Sequence, residues 1–158
     1  MHDSRGFTLI EMMLTIGIAA IVLTLGSSAF ASLRSQNMGE AAAENITSAL
    51  HLARMQAMTS GTPRSVSFDF QNNRYTDAAG TVRELNGATI TAYSCNNPNC
   101  SVGSATSGTI TFLPEGGATT AGDIMVSSPG NGTQHFITVN SITSNIRHAA
   151  SCVAGVCR

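Results

Sequence analysis

Between residues 7 and 33 the chain carries a single charged side chain, Glu11. About 20 apolar residues in a helix cross the hydrocarbon core of a bilayer. Leu9, Ile10, Met12, Met13, Leu14, Ile16, Ile18, Ile21, Val22, Leu23 and Leu25 supply apolar surface here, and no proline interrupts them. Gly17, Gly26, Ser27 and Ser28 thin the run, and small residues of this kind let helices approach closely in lipid. The pattern predicts the membrane-spanning half of a helix over residues 7–33. A carboxylate inside such a span costs about 2.5–3.5 kcal/mol on insertion scales, so Glu11 marks a function.

The six residues before the run include Asp3 and Arg5 and end in Gly6. A secretory signal peptide is cut at small residues after its apolar region. Here the small residue precedes that region, so cutting after Gly6 keeps the apolar segment on the product and makes Phe7 the new N-terminus. The string Gly6-Phe7-Thr8-Leu9-Ile10-Glu11 resembles the processing site of type IV pilins and type II secretion pseudopilins. The resemblance implies that a prepilin peptidase removes residues 1–6 as a leader and methylates the amine of Phe7. It also implies that Glu11 meets the terminal amine of an adjacent subunit as a filament grows. The implied partners are the peptidase and other minor and major pilins, joined through the N-terminal helix. The implied location is the inner membrane, single pass, with the C-terminal domain in the periplasm, and then a pilus or pseudopilus. Major pilins usually carry a proline in the anchor. Ser28 lies about where it would fall, which argues mildly against a major subunit.

Beyond Arg34 the pattern becomes amphipathic. Met38, Ala42, Ile46, Ala49, Ala53 and Ala57 recur at steps of three or four, with Glu40, Glu44, His51 and Arg54 opposite them. This is helical periodicity, and Ala41-Ala42-Ala43 favours the helix intrinsically. Gly61-Thr62-Pro63 reads as its stop. One helix is therefore expected from Phe7 to Ser60, with residues 34–60 as its amphipathic half, needing a partner for an alanine-rich stripe.

Residues 64–158 read as a β-rich globular domain. Arg64-Ser65-Val66-Ser67-Phe68-Asp69-Phe70 alternates as a half-buried strand does. Further strands are expected at 74–76, 82–85, 88–93, 108–113, 124–127, 135–139 and 144–149. Turns are expected at Asn72-Asn73, Asn86-Gly87, Pro114-Glu115-Gly116-Gly117 and Pro129-Gly130-Asn131-Gly132. Short strands at this spacing suggest one antiparallel sheet or two, with one face on the helix. Segments 95–108 and 118–122 read as exposed, mobile loops. The expected class is α+β and pilin-like: one long N-terminal helix packed on an antiparallel β-rich domain.

Cys95 and Cys100 bracket four residues, as do Cys152 and Cys157. Two such pairs suit zinc or, outside the cytoplasm where thiols oxidise, disulfides. Disulfides are the stronger expectation, with short-loop stabilisation near the low end of about 2–4 kcal/mol. Local pairing and pairing across the two groups both remain open.

Catalytic signals are scarce. There is no nucleophile elbow, phosphate loop or carboxylate pair, and His2, His51, His135 and His148 lack metal-ligand spacing. No enzyme, cofactor or metal is expected. Net charge is −1 and every basic side chain is arginine, which weighs against a broad polybasic surface. Leu50-His51-Leu52-Ala53-Arg54-Met55-Gln56-Ala57, then Gly61 and Val66, resembles the helix-to-strand region of the GspH/FimT group of pseudopilins and minor pilins. The C-terminal cysteine pair after an arginine-bearing strand resembles the FimT/FimU minor pilins, which implies a role in starting pilus assembly near the tip. Some FimT-like proteins bind DNA through Gly-Arg-x-Arg near the C-terminus. Here the matching residues are Asn145-Ile146-Arg147-His148, so a glycine and an arginine are missing. Arg147, His148 and Arg158 are the candidate phosphate contacts. Three contacts at most imply weak, salt-sensitive binding.

Overall fold

The computed structural model describes residues 7–96, 99–120, 122–129, 134–149, 152–153 and 156–157, without the side chains of 25–33, 35–36, 94–96, 99–101, 152–153 and 156–157. The leader with Gly6, the turn residues 130–132 and Arg158 lie outside the described residues.

Helix α1 runs Leu9–Ser60. Thr8 caps it: its hydroxyl accepts the backbone N–H of Glu11 at 3.3 Å. Thr-x-x-Glu at this place is the order of a capping box. The C-terminus is closed by Gly61, which takes φ +65° and donates its N–H to the Ala57 carbonyl at 3.1 Å. A left-handed residue after the last turn satisfies a carbonyl that the helix cannot.

The chain divides into two compact units, 1–34 and 35–158. In the second, the helix meets two antiparallel sheets. One has four strands in the order β3-β2-β1-β6, from β1 (Arg64–Asp69), β2 (Arg74–Thr76), β3 (Val82–Glu84) and β6 (Ser107–Phe112). The other has five in the order β5-β4-β7-β8-β9, from β4 (Thr89–Asn96), β5 (Asn99–Val102), β7 (Gly122–Ser127), β8 (Gln134–Val139) and β9 (Ile146–Ala149). A two-stranded ribbon, β10 (Cys152–Val153) and β11 (Val156–Cys157), follows β9.

All three layers share one core. Ala42, Ala43, Ile46, Leu50, Ala53 and Ala57 of the helix are buried with Val66, Phe68, Tyr75, Ile110 and Phe112 of the first sheet and Ile90, Ile124, Val126, Ile137, Val139 and Ile146 of the second. Small alanines on the helix stripe let the backbone come close to the strands. Gly39 marks the closest approach, since a β-carbon there would lie 1.9 Å from Ser128 Oγ, 3.0 Å from its Cβ and 3.2 Å from its Cα. A helix-interior glycine costs about 1 kcal/mol relative to alanine. Here it is the residue that lets α1 pass the end of β7. Burial pushes the Tyr75 phenol above its ordinary pKa.

The two sheets are tied by Asn73. Its carbonyl accepts the N–H of Leu85, and its side-chain Oδ1 accepts the N–H of Ile90 at 3.0 Å. The Asn86-Gly87 turn, closed by Ala88 N–H on the Leu85 carbonyl, then carries the chain from β3 to β4. This turn moves the chain between sheets, because β3 and β4 do not pair.

Three expectations need correction. Segment 95–108 is not simply a loop: it holds the end of β4, all of β5, and the start of β6. Its small polar residues concealed strands whose pairing, Tyr93↔Val102 through Asn96↔Asn99, comes from backbone hydrogen bonds and not from an apolar face. The ribbon β10-β11 was missed for the same reason. Arg54 is not on a solvated face: it is half-buried, and its guanidinium donates to the Thr143 carbonyl at 3.4 Å.

Candidate functional site

The first turns of α1 carry the feature that most needs explaining. Phe7, Leu9, Ile10, Met12, Met13, Leu14, Ile16, Ile18, Ile21, Val22 and Leu23 are each more than half exposed. These positions go all the way round the helix. A helix on a water-soluble domain hides one stripe, whereas one apolar on every side belongs in protein or lipid surroundings. The threonines are adapted to such surroundings. Thr15 donates to the Met12 carbonyl at 2.9 Å and Thr24 to the Ile21 carbonyl at 2.8 Å, so the helix itself satisfies their hydroxyls.

Glu11 is the charged group in this described stretch, four residues from Phe7 and exposed. Its backbone is occupied in the cap, and its carboxylate has no hydrogen-bond or ion-pair partner among the described residues. Among the described residues no helix is long and apolar enough to cross a membrane.

The cysteines fall in matching places. Cys95 stands directly opposite Cys100 in the β4-β5 pair, and Cys152 directly opposite Cys157 in β10-β11. Each pair therefore stands one position from the inner end of its two antiparallel strands, next to Asn96↔Asn99 and Val153↔Val156. Their side chains lie outside the described residues.

The three candidate phosphate contacts are not brought together. Arg147 pairs across to Thr138, with its neighbour His148 opposite Ile137. Adjacent strand residues point to opposite faces, so Arg147 and His148 part company. Arg147 lines an open cleft of about 460 Å³ with Thr138, Asn140, Thr143 and Asn145. It is exposed and has no ion-pair partner among the described residues. The loop beside it is held by Asn140, whose side chain accepts the N–H groups of Ile142 and Thr143 at 2.9 and 3.0 Å. His148 instead places Nε2 3.3 Å from Nδ1 of His135. Arg158 lies outside the described residues. One cation among neutral polar side chains remains.

The histidine pair was not legible in advance. His135 and His148 are thirteen residues apart, and only the β8-β9 register brings them together. Among the described residues, no three His, Cys, Asp or Glu side chains gather as a metal site.

Comparison with known proteins agrees with this geometry. The prokaryotic N-terminal methylation motif matches residues 1–27. A search of curated proteins finds no match. Among solved structures, the minor pseudopilin EpsH from the type 2 secretion system of Vibrio cholerae superposes with a TM-score of 0.54. The match is 17% identical and covers 71% of this chain and 96% of that one. At that identity it shows a shared fold: a long helix on antiparallel sheets. The family model for the type II transport protein GspH matches residues 42–143, from the buried alanines of α1 to the loop after β8, and the chain belongs to that family.

Proposed function

We propose that this protein is a minor subunit of a type IV pilus. In this reading the inner membrane holds it through residues 7–33, and a prepilin peptidase processes it between Gly6 and Phe7 and methylates Phe7. It then joins other pilins through the start of α1 and helps begin the filament near its tip. The observation that carries the reading is the apolar helix start, exposed on every side and bearing one carboxylate four residues from the new N-terminus. Such a surface is at home in lipid and, once extracted, among copies of similar helices. The decisive experiment deletes the gene and restores it on a plasmid. Loss of surface pili with type II secretion intact supports the reading.

A secretion pseudopilus is the second reading, favoured by the family description and the EpsH fold. Secretion lost with pili intact selects it. The C-terminal cysteine hairpin leans toward the pilus, through its likeness to FimT/FimU tails.

The opposed cysteines support local disulfides, Cys95–Cys100 and Cys152–Cys157. Directly opposite residues in an antiparallel pair have Cα atoms about 4.5–5.5 Å apart, inside the range a disulfide spans. The same register excludes no metal by itself, but oxidation is the natural state outside the cytoplasm. Mass spectrometry of the exported protein is expected to find no free thiols and two bridged hairpin peptides. Four alkylatable thiols would remove the bridges from this account.

Weak DNA binding is an added role that the Arg147 cleft supports. With one unpaired guanidinium in the cleft, the contact count is small, so affinity should be low and its fall with salt shallow, in proportion to the few phosphates neutralised. In a gel shift at low salt, Arg147→Ala is expected to lose most of the retention. Equal retention of both proteins ends the case for Arg147.

A further inference from the structure

His135 is 5% exposed, on β8. Its Nδ1 lies 3.3 Å from His148 Nε2 on β9, and the rings face each other at 5.4 Å between centroids. Its other nitrogen, Nε2, is buried with no hydrogen-bond partner among the described residues. A neutral imidazole has one donor and one acceptor nitrogen. Orphaned buried N–H groups are rarer than under-satisfied acceptors. The arrangement therefore favours the tautomer with hydrogen on Nδ1, donated to His148 Nε2, leaving a bare lone pair at the buried Nε2.

Protonation conflicts with this arrangement on both sides. A proton on His135 creates an N–H at Nε2 with no acceptor. A proton on His148 Nε2 sets two N–H groups against each other, unless His135 switches tautomer and again buries an unpaired N–H. The groups facing His135 are few. Val126 is its cross-strand neighbour on β7 and carries no charge. His148 faces it from β9, and Glu40 acts on it from α1. Burial and the neighbouring His148 hold the His135 pKa below the usual histidine value, against the opposing pull of Glu40.

β9 has four residues, lies at the sheet edge and, among the described residues, pairs with β8 alone; apart from that ladder, Ile146 and Ala149 are the buried side chains that hold it. It also leads directly into the C-terminal cysteine hairpin. We propose that the His135–His148 pair is an acid-sensitive latch that fastens β9, and the tail hairpin beyond it, to β8 at neutral pH and releases them on acidification. A divalent cation does not fit the same pair. Metal on Nδ1 of a neutral His135 would place hydrogen on the orphaned Nε2, where metal-bound histidines normally have a partner.

The direction in pH follows from proton uptake. The opened segment, with a histidine near its free value of about 6.5, binds more protons than the closed one. Closure is therefore complete above that value and weakens as pH falls through it. For one such group, opening rises by up to about tenfold between pH 7.5 and 5.5. Amide hydrogen exchange of the full chain in detergent micelles, corrected for intrinsic pH dependence, measures this. Protection over residues 146–149 is expected to drop several-fold, with about tenfold as the ceiling, while β1 stays unchanged. His135→Leu should flatten the response to within about twofold, whereas His148→Gln, exposed and safe for folding, should weaken it without abolishing it, because the burial of His135 remains. A flat wild type, an unchanged drop in either variant, or an equal loss across β1 would overturn the latch. Zn²⁺-induced protection at pH 7.5 that both variants lose would also overturn it.

Discussion

Glu11→Ala is expected to leave the chain in the membrane and to keep it out of the filament. Removing a carboxylate from an apolar span favours insertion, by less than the about 2.5–3.5 kcal/mol of a helix-centre position because Glu11 is in the first turn of α1, so the membrane-bound pool should be at least as large as in wild type. Assembly should fail for the opposite reason. Cleavage after Gly6 creates an ammonium on Phe7 in the same apolar layer as Glu11. If Glu11 pairs with a neighbour's terminal amine, its loss leaves that amine buried without a counter-charge. Breaking one side of a buried pair costs about 3–5 kcal/mol, a factor of roughly 100 or more in incorporation. Immunoblots of sheared filaments against the membrane fraction read both numbers.

The cap offers the competing explanation and its own control. Glu11 occupies the third helical position after Thr8, whose hydroxyl already accepts its N–H. A carboxylate near a helix N-terminus is favourable by about 0.3–1 kcal/mol without any partner. Thr8→Ala removes the side-chain cap and should cost about 0.5–2 kcal/mol of local helix while leaving incorporation near wild type. If Glu11→Ala filaments form normally, Glu11 is a helix-end ornament and the intersubunit pair is wrong.

What could be read from residue order follows the strength of local signals. The helix was legible because alanine, isoleucine and leucine repeat at helical spacing and Gly61-Thr62-Pro63 ends them; the observed end at Ser60 matches. Strands such as β1 were legible because Val66 and Phe68 alternate with polar neighbours. β5 and β10-β11 were not, because Asn99-Cys100-Ser101 and Cys152-Val153 carry no alternation. Long-range register was invisible for a different reason. Nothing near His135 announces His148, and nothing near Arg54 announces the Thr143 carbonyl. Arg147 and His148, both candidate phosphate contacts, are adjacent in sequence, and strand geometry puts them on opposite faces.

Leu50→Ala tests the packing that the helix and both sheets share. Leu50 is fully buried, while Leu52, two positions on, is 51% exposed. Both sit in the same helix, and both changes to alanine raise helix propensity slightly, so propensity cancels in the comparison. Burial then decides. A buried leucine cut to alanine loses its transfer free energy and leaves a cavity, about 2–5 kcal/mol in total. The stripe around Leu50 is mostly alanine, Ala43, Ala53 and Ala57 being fully buried. Such short neighbours have no side-chain reach to fill the gap, which points to the upper part of that range. An exposed leucine away from such features changes stability by about 0.5 kcal/mol or less. For a domain of this size the expected fall in Tm is roughly 8–20 °C for Leu50→Ala and no more than about 2 °C for Leu52→Ala. The near-ultraviolet dichroism of the full chain in micelles reports it through Tyr75, which is buried in the same core. Equal Tm values for the two variants would mean that α1 does not seat on the sheets through its alanine stripe, and the core described here would have to be redrawn.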